Sequence, residues 1–194
     1  TIHNAKLRLS YGQTGNDRVG DYSRYPQMST SYNYYYPIGN TPAFGIKNNE
    51  MGNADLKWET TDQYNIGLDF ALFKGRVSTT VDWYYKKTKD LLLYADVPYT
   101  TGYTKVYKNI GSIKNTGIEF TVSTVNVQTP KFRWESEFNI SFNSNKILSL
   151  NEGQDKLLST ISGLAEYSNS NLYMAQVGGP AAQFIGLIWE GVYQ

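Results

Sequence analysis

Between Trp58 and Lys89 the chain spells two long amphipathic strands joined by a very short turn. In the first, Tyr64, Ile66, Leu68, Phe70 and Leu72 share one face, while Asn65, Gly67, Asp69 and Ala71 share the other. After Phe73-Lys74-Gly75-Arg76, the second puts Val77, Thr79, Val81, Trp83 and Tyr85 on one side. Ser78, Thr80, Asp82, Tyr84 and Lys86 take the opposite side. Side chains on a strand alternate with period two, so each ribbon has one charge-free face and one polar face. Either strand can exceed the ~10 residues that a tilted strand needs to cross a bilayer, whereas ordinary strands run about 5–6. Such ribbons need an apolar medium on one side and water on the other.

The same pattern recurs along the chain. Ala5, Leu7, Leu9 and Tyr11 alternate with Lys6, Arg8, Ser10 and Gly12 in a first strand ending at Gly15-Asn16. A polar, Tyr-rich segment follows from about Asp17 to Leu56, interrupted by Pro26, Pro37 and Pro42, and a second loop is expected from about Asp90 to Lys108. Loops this long are uncommon and usually functional. Further on, Ile118, Phe120, Val122 and Thr124 oppose Gly117, Glu119, Thr121 and Ser123. After a turn at Gln128-Thr129-Pro130-Lys131, the residues Phe132, Trp134, Ser136, Phe138, Ile140 and Phe142 oppose Arg133, Glu135, Glu137, Asn139 and Ser141. A third connection, about Leu148 to Gly179, is expected to hold a small hairpin or helical turn near Leu157–Leu164. A final strand is expected over Gln183 to Tyr193.

Connections therefore alternate long, short, long, short, long, as in outer-membrane barrels with tight periplasmic turns and extended surface loops. The apolar positions named in the four central strands contain no Asp, Glu, Lys or Arg. Asp69, Asp82, Glu119, Arg133, Glu135 and Glu137 all fall on the other face. A Lys or Arg facing lipid at mid-depth costs about 2–4 kcal/mol, which gives the exclusion a cause. A soluble β-sandwich also has one apolar face per strand. Strand length, loop asymmetry and aromatics near strand ends (Tyr64, Phe73, Trp83, Tyr85, Phe132, Trp134, Phe142) favour an all-β, antiparallel transmembrane barrel segment of about six long strands. A soluble, extracellular carbohydrate-binding β-sandwich module is the alternative.

Composition narrows the function classes. A formal net charge of +1 spread over 194 residues provides no basic patch for nucleic acid. Without cysteine there is no disulfide or thiolate metal site. Aromatics make up 15% of the chain and include 17 Tyr, a balance that suits strands with long polar loops. No apolar run reaches the 18 residues of a transmembrane helix, which leaves a barrel open, since barrel strands alternate.

Covalent catalysis has little to use, and the chain is read as a non-enzyme. His3 is the sole histidine and the only base available to a Ser-His-Asp relay, and a barrel lipase built on it is the remotest reading. Glu135 and Glu137 share a face about 7 Å apart, within the range of paired glycosidase carboxylates, but a hydrated wall with Arg133 alongside explains them more simply. Asn16, Asp17 and Asp21 offer oxygen ligands without the spacing of a calcium loop. Gly178-Gly179-Pro180 is a turn signal without the lysine of a phosphate-binding loop. No cofactor and no metal are expected.

Four blocks carry a resemblance: LRLSYGQTGN, NADLKWETTDQYNIGLDFALFKGRVSTTVDWYYKKTKDLLL, NIGSIKNTGIEFTVS and QVGGPAAQFIGLIWEGVYQ. In order and spacing they resemble the SusC/RagA family of TonB-linked outer-membrane transporters of Gram-negative bacteria. The resemblance implies a barrel of about 22 strands, a plug domain, energy coupling to TonB and a SusD-like surface lipoprotein acting as a lid. It places residues 1–194 within the barrel domain, as an internal segment cut from a longer precursor. Thr1 already reads as strand, and Tyr193-Gln194 lacks the closing Phe. The implied partners are the SusD-like lipoprotein, TonB through parts outside this segment, membrane lipid, and an imported oligosaccharide or peptide. The long-loop tyrosines Tyr22, Tyr25, Tyr32, Tyr34, Tyr35 and Tyr36 give flat amphipathic contact area and are the candidate surface for lid or cargo. Asp69, Asp82, Glu119, Arg133, Glu135 and Glu137 are the candidate lumen wall.

Overall fold

The computed structural model describes residues 2–38, 41–103, 105–150, 154–160, 171–186, 188 and 191, with backbone alone at 31–38, 41–44, 49, 96, 159, 160 and 171. The chain divides into two units, one of residues 1–14, 61–88 and 112–194 and the other of residues 15–60 and 89–111.

The first unit is built on long strands: β1 (Ile2–Asn16), β4 (Glu59–Leu72), β5 (Val77–Lys89), β8 (Ser112–Gln128) and β9 (Arg133–Ser149). They form one five-stranded sheet in the order β1-β4-β5-β8-β9. Both short turns, at Phe73–Arg76 and Thr129–Phe132, lie on one edge, and Ser112 pairs with Ser149 on the other, where the long connections leave. The alternating connection pattern read from sequence is the pattern of the sheet.

Register keeps the two faces chemically pure across strands. Between β8 and β9, Ile118 faces Phe142, Phe120 faces Ile140 and Val122 faces Phe138, while Glu119 faces Ser141 and Ser123 faces Glu137. The bulge between Val125 and Val127 absorbs one residue, so that Trp134 opposite Val127 stays in the apolar set.

The apolar face is uncovered. Leu68 is 41% exposed, Phe120 36% and Phe138 57%, and Trp134, Phe132 and Phe142 are exposed as well. Val81 is half-buried. Of this unit's described apolar side chains, Ile147 alone is buried. A sandwich would seal these rings and branched chains under a second sheet. Here strands of 13 to 17 residues present them outward, which is the arrangement a lipid-facing wall requires.

Five of the about six long strands expected form the sheet among the described residues. Of the expected last strand from Gln183 to Tyr193, Gln183–Phe184 is described as strand (β12), and residues 187, 189–190 and 192–194 lie outside the described residues. β12 pairs with β11 (Asn171–Gln176), which pairs antiparallel with β10 (Lys156–Thr160). The small hairpin expected near Leu157–Leu164 is thus present as β10 and β11, with 161–170 outside the described residues. Two backbone bonds, Ile147 N–H to Gly179 O and Gly178 N–H to Ile147 O, fasten the Gly178-Gly179 turn to β9.

The second unit holds two hairpins where the sequence suggested plain loops. β2 (Gln27–Ile38) pairs with β3 (Thr41–Glu50), and β6 (Leu92–Asp96) pairs with β7 (Lys105–Asn109). Among its described side chains, Leu92, Ala95 and Val106 are the buried apolar ones.

Candidate functional site on the polar face

The polar face of the sheet is organised around Arg8. From β1 its Nε donates to Asp69 Oδ2 at 2.8 Å and its Nη2 to Asp69 Oδ1 at 2.9 Å, both on β4. The same Nη2 reaches Asp82 on β5, 2.9 Å from Oδ1 and 3.1 Å from Oδ2. Thr80 adds a donor to Asp69 at 3.1 Å. One planar fork thus ties three strands, a task Arg performs better than Lys because its donors are fixed in a plane.

Glycine makes the crossing fit. A Cβ on Gly67 would meet Asp82 Oδ1 at 2.4 Å and Arg8 Cζ at 2.7 Å, so the guanidinium lies over bare β4 backbone. Gly117 has the same use one hairpin later. A Cβ there would meet the Tyr84 ring at 2.5 Å, and Lys86 Nζ stands 5.6 Å from that ring's centre. Glycine inside a strand commonly marks such a close approach.

The six charged residues expected on one wall are placed as follows. Asp69 and Asp82 meet at Arg8. Glu119 follows Gly117 by two residues and so shares the face that Tyr84 covers. Arg133 pairs with its neighbour Glu135, and Glu135 and Glu137 line an open polar groove with Ser78 and Ser123 near the short turns. Arg8, the centre of the arrangement, was missing from the expected set, although alternation in β1 already put it opposite Leu7 and Leu9.

Of the tyrosines, Tyr22 and Tyr25 are 77% and 66% exposed in the turn before β2. Tyr32, Tyr34, Tyr35 and Tyr36 lie on β2, and their side chains fall outside the described residues. His3 is exposed on β1, and the Asn16 amide donates to Glu59 Oε2 at 2.8 Å.

The second unit contains a polar joint that sequence reading missed. Asn109 Oδ1 accepts the Lys57 N–H at 2.7 Å, and its Nδ2 donates to Lys57 O at 2.7 Å and to Asp90 O at 3.0 Å. Glu59 Oε1 accepts the Leu92 N–H at 2.8 Å, and Asn53 Nδ2 donates to Tyr107 O at 2.8 Å. The signal was available: Asn53, Lys57 and Glu59 lie in the stretch NADLKWET and Asn109 in KNIGS. Tyr94 stacks on Tyr107 with centroids 3.8 Å apart. A hydrogen bond with Tyr107, then burial and nearby negative charge, push the Tyr94 hydroxyl up to about 12.

Long antiparallel strands, an uncovered apolar face and an ion-paired polar face define a wall segment of a transmembrane β-barrel. The chain matches the family model described as "TonB dependent receptor-like, beta-barrel" over residues 2–178, and it belongs to that family. It is 34% identical over its whole length to TonB-dependent receptor P3 of Formosa agariphila and 33% identical over 99% of its length to TonB-dependent receptor SusC of Bacteroides thetaiotaomicron. It spans about 19% of the length of either relative. Among solved structures it resembles the RagAB peptide transporter with TM-score 0.75 at 28% identity, over 93% of this chain and 18% of that one. The SusC/RagA resemblance read from four sequence blocks is borne out.

Proposed function

We propose that residues 1–194 form part of the barrel wall of an active importer in the outer membrane of a Gram-negative bacterium, with loops about 17–56, 90–108 and 148–179 on the cell surface. In this reading the Arg8–Asp69–Asp82 face, with Glu119, Arg133, Glu135 and Glu137, lines the lumen. The cargo is an oligosaccharide or peptide, handed over by a SusD-like lipoprotein that contacts the loop tyrosines. TonB supplies energy through a plug domain, and this segment performs no covalent chemistry. The observation that carries the reading is the five-stranded sheet whose apolar side is uncovered while its polar side is knitted by charge.

The test is uptake by cells that depend on the full-length protein, with fluorescent oligosaccharide or peptide, with and without working TonB. TonB-dependent accumulation and recovery of the protein in outer-membrane fractions are expected. Recovery as a water-soluble protein, or uptake indifferent to TonB, sinks the reading.

A further inference from the structure

The apolar face ends along one polar row. Asn65 to Ser10 and Gln13 to Asp62 hydrogen bonds, with Tyr11 stacked on Tyr64 at 4.8 Å, align β1 with β4. Thr61 on Thr88 and Thr80 on Asp69 align β4 with β5. Val125 N–H to Arg76 O and Tyr84 over Gly117 align β5 with β8. Carried three residues along from Tyr84 and Gly117, that last alignment sets Lys87 opposite Lys114. Lys114 in turn pairs directly with Lys146 on β9. Gln13, Asp62, Lys87, Lys114 and Lys146 therefore form one row across five strands, on the face that carries Ile66, Trp83, Ile118 and Phe142.

Asp62 is buried and engaged, accepting Gln13 Nε2 at 2.9 Å and the Tyr11 hydroxyl at 3.3 Å. Lys87, Lys114 and Lys146 have neither ion-pair nor hydrogen-bond partner among the described residues. Like charges directly opposite on a sheet repel, and the single carboxylate of the row, Asp62, leaves two of the three lysine charges unbalanced. Directly below the row come Tyr11, Tyr64 and Tyr85, and then the apolar band; Leu9, Ile66 and Trp83 join those rings in lining an open groove. An amphiphile with an anionic head and hydrocarbon tails matches that order of side chains.

Resting on the membrane reading above, we propose that Lys87, Lys114 and Lys146 bind the phosphate headgroup of a membrane lipid whose chains lie along the Leu9–Tyr64–Trp83 groove. The phosphates meet the ammonium groups at the depth where charge is first tolerated. The tyrosines fill the interfacial zone between headgroup and chains.

The test uses the full-length transporter in phosphatidylcholine nanodiscs doped with phosphatidic acid, with bound lipid counted by native mass spectrometry. Phosphatidic acid is expected to be retained over phosphatidylcholine. The triple change Lys87→Gln, Lys114→Gln, Lys146→Gln is expected to cut that preference by at least ~10-fold, and the triple Arg variant to keep it. Changing Lys105 and Lys108 to Gln is expected to leave it intact. An unchanged preference in the triple Gln variant, equal loss in the Lys105/Lys108 control, or displacement of the lipid by inorganic phosphate each overturns the site, with the protein still inserted. A protein that never enters the nanodisc refutes the membrane reading instead, and the lipid site with it.

Discussion

Arg8 grips Asp69 at both carboxylate oxygens across the β1–β4 boundary, and the consequence reaches a strand further. Because the fork lies flat over Gly67, one of its nitrogens is left within reach of Asp82 on β5. Geometry of this kind makes the intervening glycine as important as the charges.

Gly67→Ala is expected to destabilise the barrel by about 1–3 kcal/mol, since the new methyl needs space that Arg8 and Asp82 occupy. Gly12→Ala is the control, because a Cβ there meets nothing within 4 Å. Urea unfolding of the full-length protein in lipid vesicles reads the difference; equal midpoints for the two variants would refute the steric account.

The two carboxylates are not equivalent. Asp69 receives Arg8 twice and Thr80 once, whereas Asp82 shares one Arg8 nitrogen. Asp69→Asn is expected to lower the unfolding midpoint more than Asp82→Asn, and Arg8→Lys to resemble the former by losing the two-pronged contact. All three groups are about a third exposed or more, so the effects should shrink in high salt.

The joint at the base of the connections makes a separate prediction. Asn109→Ala removes the hydrogen bonds to Lys57 and Asp90 at a cost of about 1–2 kcal/mol. Asn109→Asp keeps the acceptor for Lys57 N–H but sets a carboxylate oxygen against the Lys57 and Asp90 carbonyls, and should cost no less. Hydrogen exchange at the Lys57 and Leu92 amides is expected to quicken in the Ala variant, and unchanged protection would show that the joint holds nothing.

Single strands made their faces readable, because period-two alternation is written within one segment. Leu68, Phe120 and Phe138 stand where alternation put them, and the Gly15-Asn16 end of β1 is as expected. Relations between strands were harder. Asp62 continues the Tyr64–Leu72 face and Lys87, Lys114 and Lys146 continue three others, yet only register shows that all four interrupt the apolar surface at one level. The β2–β3 hairpin was hidden because Pro37 and Pro42 read as loop punctuation. In the structure they face each other next to the Ile38–Thr41 pair, at the end of the two strands, where a missing N–H is tolerated. The β6–β7 pair escaped because its strands are five residues each, too short for alternation to declare itself.

Alkali offers a probe of that second hairpin. With Tyr94 raised to about 12 through its bond with Tyr107, the neutral hydroxyl is favoured in the folded hairpin over the unfolded chain. That contribution is complete below about pH 10 and is lost as pH climbs through about 12. Tyrosinate absorbance should show one late-titrating group that vanishes in Tyr94→Phe. A variant that titrates like the parent would remove the assignment.

The loop tyrosines decide whether the surface face does work. Tyr22 and Tyr25 stand free of the core in the turn that leads into β2, whose backbone carries Tyr34, Tyr35 and Tyr36. On the proposed reading, Tyr34, Tyr35 and Tyr36 changed together to Ser should reduce both uptake and co-purification of the proposed SusD-like lid, because flat aromatic area is exchanged for small polar groups. Tyr22→Ser with Tyr25→Ser, made separately, asks the same of the turn. Loss of uptake with the lid still bound would place these rings on the cargo, and loss of both would place them on the lid. Unchanged behaviour in the two variants would leave the tyrosines as packing between loops and remove them from the transport site.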